Sequence, residues 1–432
     1  MTDIHAKRRT RLFEKMGRGI AIIPNAPEQR RNGDSDYPYR FDSSFYYLTG
    51  FAEPDSVLVL VSGDARQSIL FCREKNIERE IWDGYRFGPD AAREEFGFDA
   101  AHPIAELDEK LTELMGNQAT LYYPLGADAH WDQRMLKLRE AVRTKVRSGI
   151  KAPDELRDVR TLINEMRLFK DSSEIAIMRK AAAISTAAHR RAMQFVRAGI
   201  FEYEVEAELL HEFCRNGARN PAYTSIVAAG ENACVLHYVA NDARLKQSDL
   251  LLIDAGCEFS GYASDITRTY PVSGKFTGAK KHVYEIVLAA QTAAIDAARP
   301  GNSWEAPHNA ALRVLIQGFI DLKLCRGTVD GVLEDESYRK YYMHRTGHWL
   351  GMDVHDVGEY KIDNAWRSLQ PGMVLTVEPG CYIRPSDDVP RALWNIGIRI
   401  EDDVVITDKG HEVLTEAAPK TVSAIEELMK KS

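Results

Sequence analysis

Short apolar runs punctuate the first third of the chain. Gly19-Ile20-Ala21-Ile22-Ile23-Pro24, Ser56-Val57-Leu58-Val59-Leu60-Val61 and Ser68-Ile69-Leu70-Phe71-Cys72 are each bounded by turn residues. Runs of this length and flanking predict buried strands. Residues 105–115 and 132–146 instead space their apolar positions at helical intervals. Strands alternating with helices predict an α/β layer. The pattern changes near residues 158–173. Asp171 followed by Glu174 has the form of a capping box. It predicts a long helix to Phe195, closed by Gly199, and a second helix over 203–215. We therefore divide the chain into an α/β domain, 1–170, and a second domain, 171–432.

The second domain contains a weak repeat. Leu251-Leu252-Ile253-Asp254-Ala255-Gly256-Cys257 matches Leu375-Thr376-Val377-Glu378-Pro379-Gly380-Cys381. Each run reads as a strand with an acid near its end. A second acid-bearing strand follows each: Ser264-Asp265-Ile266-Thr267 and Ile398-Arg399-Ile400-Glu401. The repeat predicts two similar halves related by a pseudo-two-fold, with four acids converging between them.

These acids interrupt otherwise apolar strands, which are of the kind buried on both faces. A buried carboxylate costs several kcal/mol unless it is paired or binds a metal. Taken singly, each acid reads as a strand-end cap or a structural ion pair. Taken together they read differently. Asp254 and Asp265 flank a turn containing Gly256 and Gly261, so a hairpin can set them side by side. Adjacent carboxylates repel unless they share a proton or a cation. His344, His348 and His355 fall within twelve positions, interleaved with glycines. That spacing suits a loop that carries imidazoles into a cleft. Oxygen ligands with one imidazole favour Mn²⁺, Mg²⁺, Co²⁺ or Zn²⁺. A two-metal hydrolase site needs bridging carboxylates, and Asp265 and Glu401 suit that place.

Composition narrows the field. The chain has 432 residues and a net charge of −8, which argues against a nucleic-acid partner. Its one basic cluster, Lys7-Arg8-Arg9 with Arg11, reads as a solvated first helix. The six cysteines form no CxxC pair, so most of them read as buried apolar residues in a reduced compartment. No apolar signal segment opens the chain, and no run approaches the ~18 residues of a membrane span. A cytoplasmic enzyme is the expectation.

At these motifs the sequence resembles the Xaa-Pro aminopeptidases (aminopeptidase P) of the pita-bread metallopeptidase family, which also holds prolidase and methionine aminopeptidase. The likeness runs over nearly the whole chain. It includes Asp34-Ser35-Asp36-Tyr37-Pro38-Tyr39-Arg40, Phe45-Tyr46-Tyr47-Leu48-Thr49-Gly50-Phe51, Glu165-Met166-Arg167-Leu168-Phe169-Lys170 and the four acid-bearing segments. The resemblance implies an N-terminal α/β domain and an α+β catalytic domain, whose six-stranded antiparallel sheet is backed by helices. It implies two divalent ions, most often manganese, with Co²⁺ or Zn²⁺ as alternatives. Asp254 would hold one ion, His348 and Glu378 the other, and Asp265 and Glu401 both.

By the same resemblance His237 and His344 lie near the substrate and His355 near the scissile carbonyl. Arg399 supports the ligands, Tyr382 borders the cleft, and Trp82 reaches a neighbouring subunit's site. The expected partners are peptides with proline second and further copies of the chain, as a homodimer or homotetramer. One position departs from the family loop: Arg345 follows His344 where the family usually has glycine. It either points to solvent or, if it faces the cleft, selects an acidic group. Two rival readings are prolidase, which shares the ligands but takes only dipeptides, and a non-catalytic binding protein on the same fold.

Overall fold

The computed structural model describes residues 2–63 and 65–430. The chain forms two compact units, Met1–Arg167 and Leu168–Ser432.

The first unit is built on β1 (Gly19–Pro24), β2 (Val57–Ser62), β3 (Gln67–Cys72), β4 (Ala100–Pro103), β5 (Thr120–Tyr123) and β6 (Glu155–Asp158). They form one sheet in the order β4-β3-β2-β1-β5-β6. β1 runs antiparallel to β2 and parallel to β5. The three apolar runs thus become adjacent central strands, nearly all buried. Leu107, Leu111, Met135, Leu138 and Val142 pack on one face. They belong to the helices Leu107–Leu114 and Ala129–Arg143.

The first helix, Thr2–Met16, corrects one expectation. Arg8 and Arg9 are buried, not solvated. The Arg8 guanidinium lies 4.1 Å from the centre of the Tyr47 ring. Arg9 donates to the carbonyls of Leu48 and Gly97. Carbonyls at the ends of short helices accept the donors that burial would otherwise leave orphaned.

In the second unit the helix Ser172–Phe195 opens with the expected capping box. Asp171 accepts from the backbone of Ser173 and Glu174, and Glu174 accepts from the Asp171 N–H. The helix ends at Val196, ahead of Gly199. The helix Glu202–Arg215 follows.

The repeat is real in topology. In its first half, β7 (Leu250–Asp254) pairs antiparallel with β10 (Thr267–Pro271), and β8 (Cys257–Phe259) pairs with β9 (Tyr262–Ala263). In its second half, β11 (Val374–Val377) pairs with β14 (Asp402–Thr407), and β12 (Gly380–Ile383) pairs with β13 (Ile396–Arg399). Each half is an outer pair and an inner pair, joined where the acids lie.

The pairing is all antiparallel, but it is divided among short ladders, not one continuous six-stranded sheet. The breaks fall at the corners Ala255-Gly256 and Glu378-Pro379. Pro379 has no N–H to give to a ladder. At Gly256 a Cβ would lie 1.7 Å from the Ser264 carbonyl oxygen, so the chains can approach this closely only at glycine. The halves meet where the Glu401 N–H donates to the Thr267 carbonyl at 3.1 Å and the Thr269 hydroxyl donates to the Arg399 carbonyl at 3.0 Å.

Candidate metal centre

The corners determine where the acids point. Asp254 ends β7, opposite Thr267. Asp265 stands two residues before β10, Glu378 one residue after β11, and Glu401 between β13 and β14. His348 comes from a loop clamped to β11. The Thr376 N–H donates to the His348 carbonyl, the His348 N–H to the Thr376 hydroxyl, and the Glu378 N–H to the Thr346 carbonyl. Gly347 permits that docking, since a Cβ there would lie 2.1 Å from the Thr376 carbonyl oxygen.

Donor atoms of Asp265, His348 and Glu401 all lie within 4.8 Å of one another. Glu378 Oε1 lies 3.7 Å from His348 Nε2. The His348 Nδ1–H is directed at the Trp349 carbonyl, 2.9 Å away, which leaves Nε2 facing the carboxylates. Asp254 accepts from Arg399 at 2.6 Å and from Tyr223 at 2.6 Å. Thr267 donates to Glu401 at 2.6 Å.

Electrostatics show the strain of this packing. Burial, then the charges of Asp265, Glu378 and Asp254, push Glu401 well above the ordinary carboxylate range. Burial holds Glu378 up at about 7 and also raises Asp254. Burial opposes ionisation of Asp265 as well, but the hydrogen bond and charge of His348 bring it below its usual value. His348 rises to about 9, because Asp265 and Glu378 outweigh its desolvation. Four carboxyls, two buried and two half-buried, have only one imidazole and the Arg399 guanidinium to set against their charge. Divalent cations supply the rest, so the donor set fits the metals that hard oxygen ligands favour.

The remaining residues surround a cleft of about 440 Å³. His237 and His355 line it and are exposed, and the His355 ring meets the His348 ring edge-on at 4.2 Å. Burial, then Arg399, holds His344 down at about 3, so it is neutral. Its Nδ1–H donates to the Arg345 carbonyl at 2.7 Å and its Nε2 accepts from Tyr382 at 2.9 Å. Tyr382 is 1% exposed and accepts from Arg399. Its hydroxyl therefore anchors His344 and Arg399 beneath the cleft wall. Trp82 belongs to the first unit and is 84% exposed. A larger hollow of about 700 Å³ lies beside Ile286, Val314 and Leu322. It holds none of the clustered ligand residues.

Three supporting residues escaped the sequence reading. Tyr223 contacts both Asp254 and Asp265. Thr267 joins Arg399 to Glu401. Buried Asp403 accepts the Asp265 N–H. Asp403 directly follows the Glu401-Asp402 pair, and Thr267 lies two residues past Asp265, so proximity to ligands was a usable signal for both. Tyr223 sits in an irregular segment and offered none.

Buried carboxylates and one imidazole, delivered by paired antiparallel hairpins to the floor of a cleft, define a metal-dependent hydrolase. Residues 176–408 match the model of metallopeptidase family M24, and residues 5–122 match that of the aminopeptidase P N-terminal domain. The chain belongs to metallopeptidase family M24. It is 46% identical to the Xaa-Pro aminopeptidase of Escherichia coli (strain K12), across 98% of this chain and 96% of that one. It is 44% identical to the Haemophilus influenzae Xaa-Pro aminopeptidase, over 98% and 96%. The solved Pseudomonas aeruginosa aminopeptidase PepP superposes with a TM-score of 0.98 at 49% identity, covering 99% of this chain and 98% of that one. Proline aminopeptidase P II from Yersinia pestis gives 0.97 at 47% identity, covering 99% of each.

Proposed function

We propose that this chain is a metal-dependent aminopeptidase that releases the first residue from peptides with proline in second position. The observation that carries the reading is the buried Asp265–His348–Glu401 cluster on the cleft floor. Two divalent ions, manganese in the first instance, would be held by Asp254, Asp265, His348, Glu378 and Glu401, with Asp265 and Glu401 shared. When bound, such ions supply Lewis acidity and activate the attacking water at neutral pH.

The chain's own residues do the rest. The Asp254 end of the ligand set receives the substrate amine. Glu378 takes the proton of the attacking water and passes it towards the proline nitrogen, which must be protonated to leave. His355 hydrogen-bonds the oxyanion as it forms. A bond to proline is a tertiary amide without an N–H, so the cleft must know the ring by shape. Ile226, Leu236, Val239 and Val354 supply apolar wall in the cleft, and His237 and His344 border the ring. Arg399 and Tyr382 hold Asp254 and His344 in place.

The assembly we propose is a homodimer or homotetramer in the cytoplasm. Trp82, Ile77, Ile81 and Tyr85 are all more than three-quarters exposed, a patch suited to burial against another copy. Trp82 would then reach the neighbouring subunit's site. Among the described residues no helix is long and apolar enough to cross a membrane.

The test uses chelator-stripped protein reconstituted with Mn²⁺, Co²⁺ or Zn²⁺. Xaa-Pro-Xaa tripeptides should be cleaved after the first residue and Xaa-Ala-Xaa peptides spared. Turnover confined to Xaa-Pro dipeptides would instead identify a prolidase.

A further inference from the structure

We infer that Arg345 is a specificity-determining residue, which selects peptides carrying an acidic side chain just downstream of the proline. The inference deepens the proposed Xaa-Pro aminopeptidase reading and rests on it.

Two arginines and no lysine line the cleft. Arg399 is committed to the buried floor, where it donates to Asp254, Thr267 and Tyr382. Arg345 stands at the rim with its side chain 55% exposed. Among the described residues its side chain makes one hydrogen bond, to Glu305, and that contact is long at 3.4 Å. The guanidinium carbon lies 4.9 Å from the centre of the Trp366 ring. A planar cation laid on an indole keeps its edge donors available while losing little rotamer freedom on binding.

Its place along the cleft gives the substrate position. The amine pole is the Asp254 end. Glu378, which serves the proline nitrogen, has Oε2 3.7 Å from His344 Nδ1. Arg345 is the next residue. A chain that enters at Asp254 and passes Glu378 therefore meets Arg345 beyond the proline ring. The two imidazoles flanking Arg345, His344 in the cleft and His308 in the adjoining hollow, do not compete for the anion. His344 spends its Nδ1–H on the Arg345 carbonyl, and burial, then the charge of Arg345, holds His308 down at about 4. The anion-binding charge on this wall is the guanidinium.

The test compares Ala-Pro-Glu-amide, Ala-Pro-Gln-amide and Ala-Pro-Lys-amide, blocked at the C-terminus so that the third side chain alone differs in charge. With the Mn²⁺ enzyme, kcat/KM for the glutamate peptide should exceed that for glutamine by about 3- to 5-fold, the scale of a half-exposed ion pair. The difference should lie in KM and shrink in 0.5 M salt (about a 4 Å screening length). Arg345→Met should bring the Glu/Gln ratio to one, Arg345→Lys should keep part of it, and Glu305→Gln should raise it. A ratio near one in the unaltered enzyme, or one that survives Arg345→Met, overturns the inference while cleavage of all three peptides leaves the aminopeptidase reading standing. Failure to cleave any of the three overturns both.

Discussion

The Tyr223 hydroxyl donates to Asp254 Oδ1 at 2.6 Å while also touching Asp265 Oδ1. One phenolic proton serves one acceptor at a time. The second contact therefore depends on a carboxyl proton or on a cation between the acids. Burial, then the charges of Asp254 and Asp265, drive the Tyr223 phenol well above its ordinary value, so it remains an O–H donor. Tyr223→Phe should weaken Mn²⁺ binding by roughly 10-fold or more, as loss of a group that orients a ligand does. Calorimetric titration of the stripped variant, with circular dichroism to check the fold, reads this directly. Equal affinity would show that Tyr223 does not orient the ligands.

Glu401 and its neighbours repel one another when no cation intervenes. Glu401→Gln keeps the shape and removes one ionisable group from the cluster. It should lower activity in manganese buffer by about 10³-fold, several kcal/mol of transition-state stabilisation. In chelator the same variant should be as stable as the unaltered protein, or more so by about 1 kcal/mol. Scanning calorimetry with and without metal separates the two effects. Asp265→Ala or Glu378→Ala with full peptidase activity would dismiss this metal centre.

Gly256 makes the first corner. A methyl group there would meet the Ser264 carbonyl carbon at 2.6 Å and the Asp265 nitrogen at 3.2 Å. Backbone cannot move aside as a side chain can. Gly256→Ala should cost about 3 kcal/mol and spread Asp254 from Asp265, so both melting temperature and Mn²⁺ affinity should fall. A variant that loses stability alone would uncouple the corner from the ligands.

The corners also explain which parts of the fold were legible in the sequence. Asp171 and Glu174 announce their helix because capping is local chemistry three residues apart. Asp254, Asp265, Glu378 and Glu401 are visible because a carboxylate breaks an apolar run. The repeat placed an acid-bearing strand after each first strand, but it did not single out β14, which begins after Glu401, as the partner of β11. What pattern could not give was contact across the fold. Arg8 and Arg9 look solvated until Tyr47, Leu48 and Gly97 are placed beside them. Tyr223 is 31 residues from Asp254 and 42 from Asp265 in sequence. The ladders are shorter than one continuous sheet because Pro379 and the tight approach at Gly256 interrupt them, a matter of local sterics that resemblance does not report.

His189 gives the fold a defined acid sensitivity. It is fully buried on the long helix, and its Nε2–H is directed at the Ala255 carbonyl at 2.9 Å, next to Asp254. Burial, with Arg268 adding repulsion, lowers it to about 4, against about 6.5 in the unfolded chain. The folded value lies below the unfolded one, so the unfolded state takes up the proton first as pH falls. The neutral imidazole's contribution is therefore complete above about pH 6.5 and is lost progressively down to about pH 4. Over that whole window the loss is about 3 kcal/mol, of which about 2 kcal/mol has gone by pH 5. Urea unfolding at pH 7.5 and pH 5, in chelator to remove metal-linked protons, measures the difference. His189→Gln can still donate to Ala255 but does not titrate. Its stability should fall by about 2 kcal/mol less across that interval than that of the unaltered protein. Parallel falls in the two proteins would place the acid sensitivity elsewhere. If the difference appears, mild acid loosens the helix contact behind the Asp254–Asp265 corner.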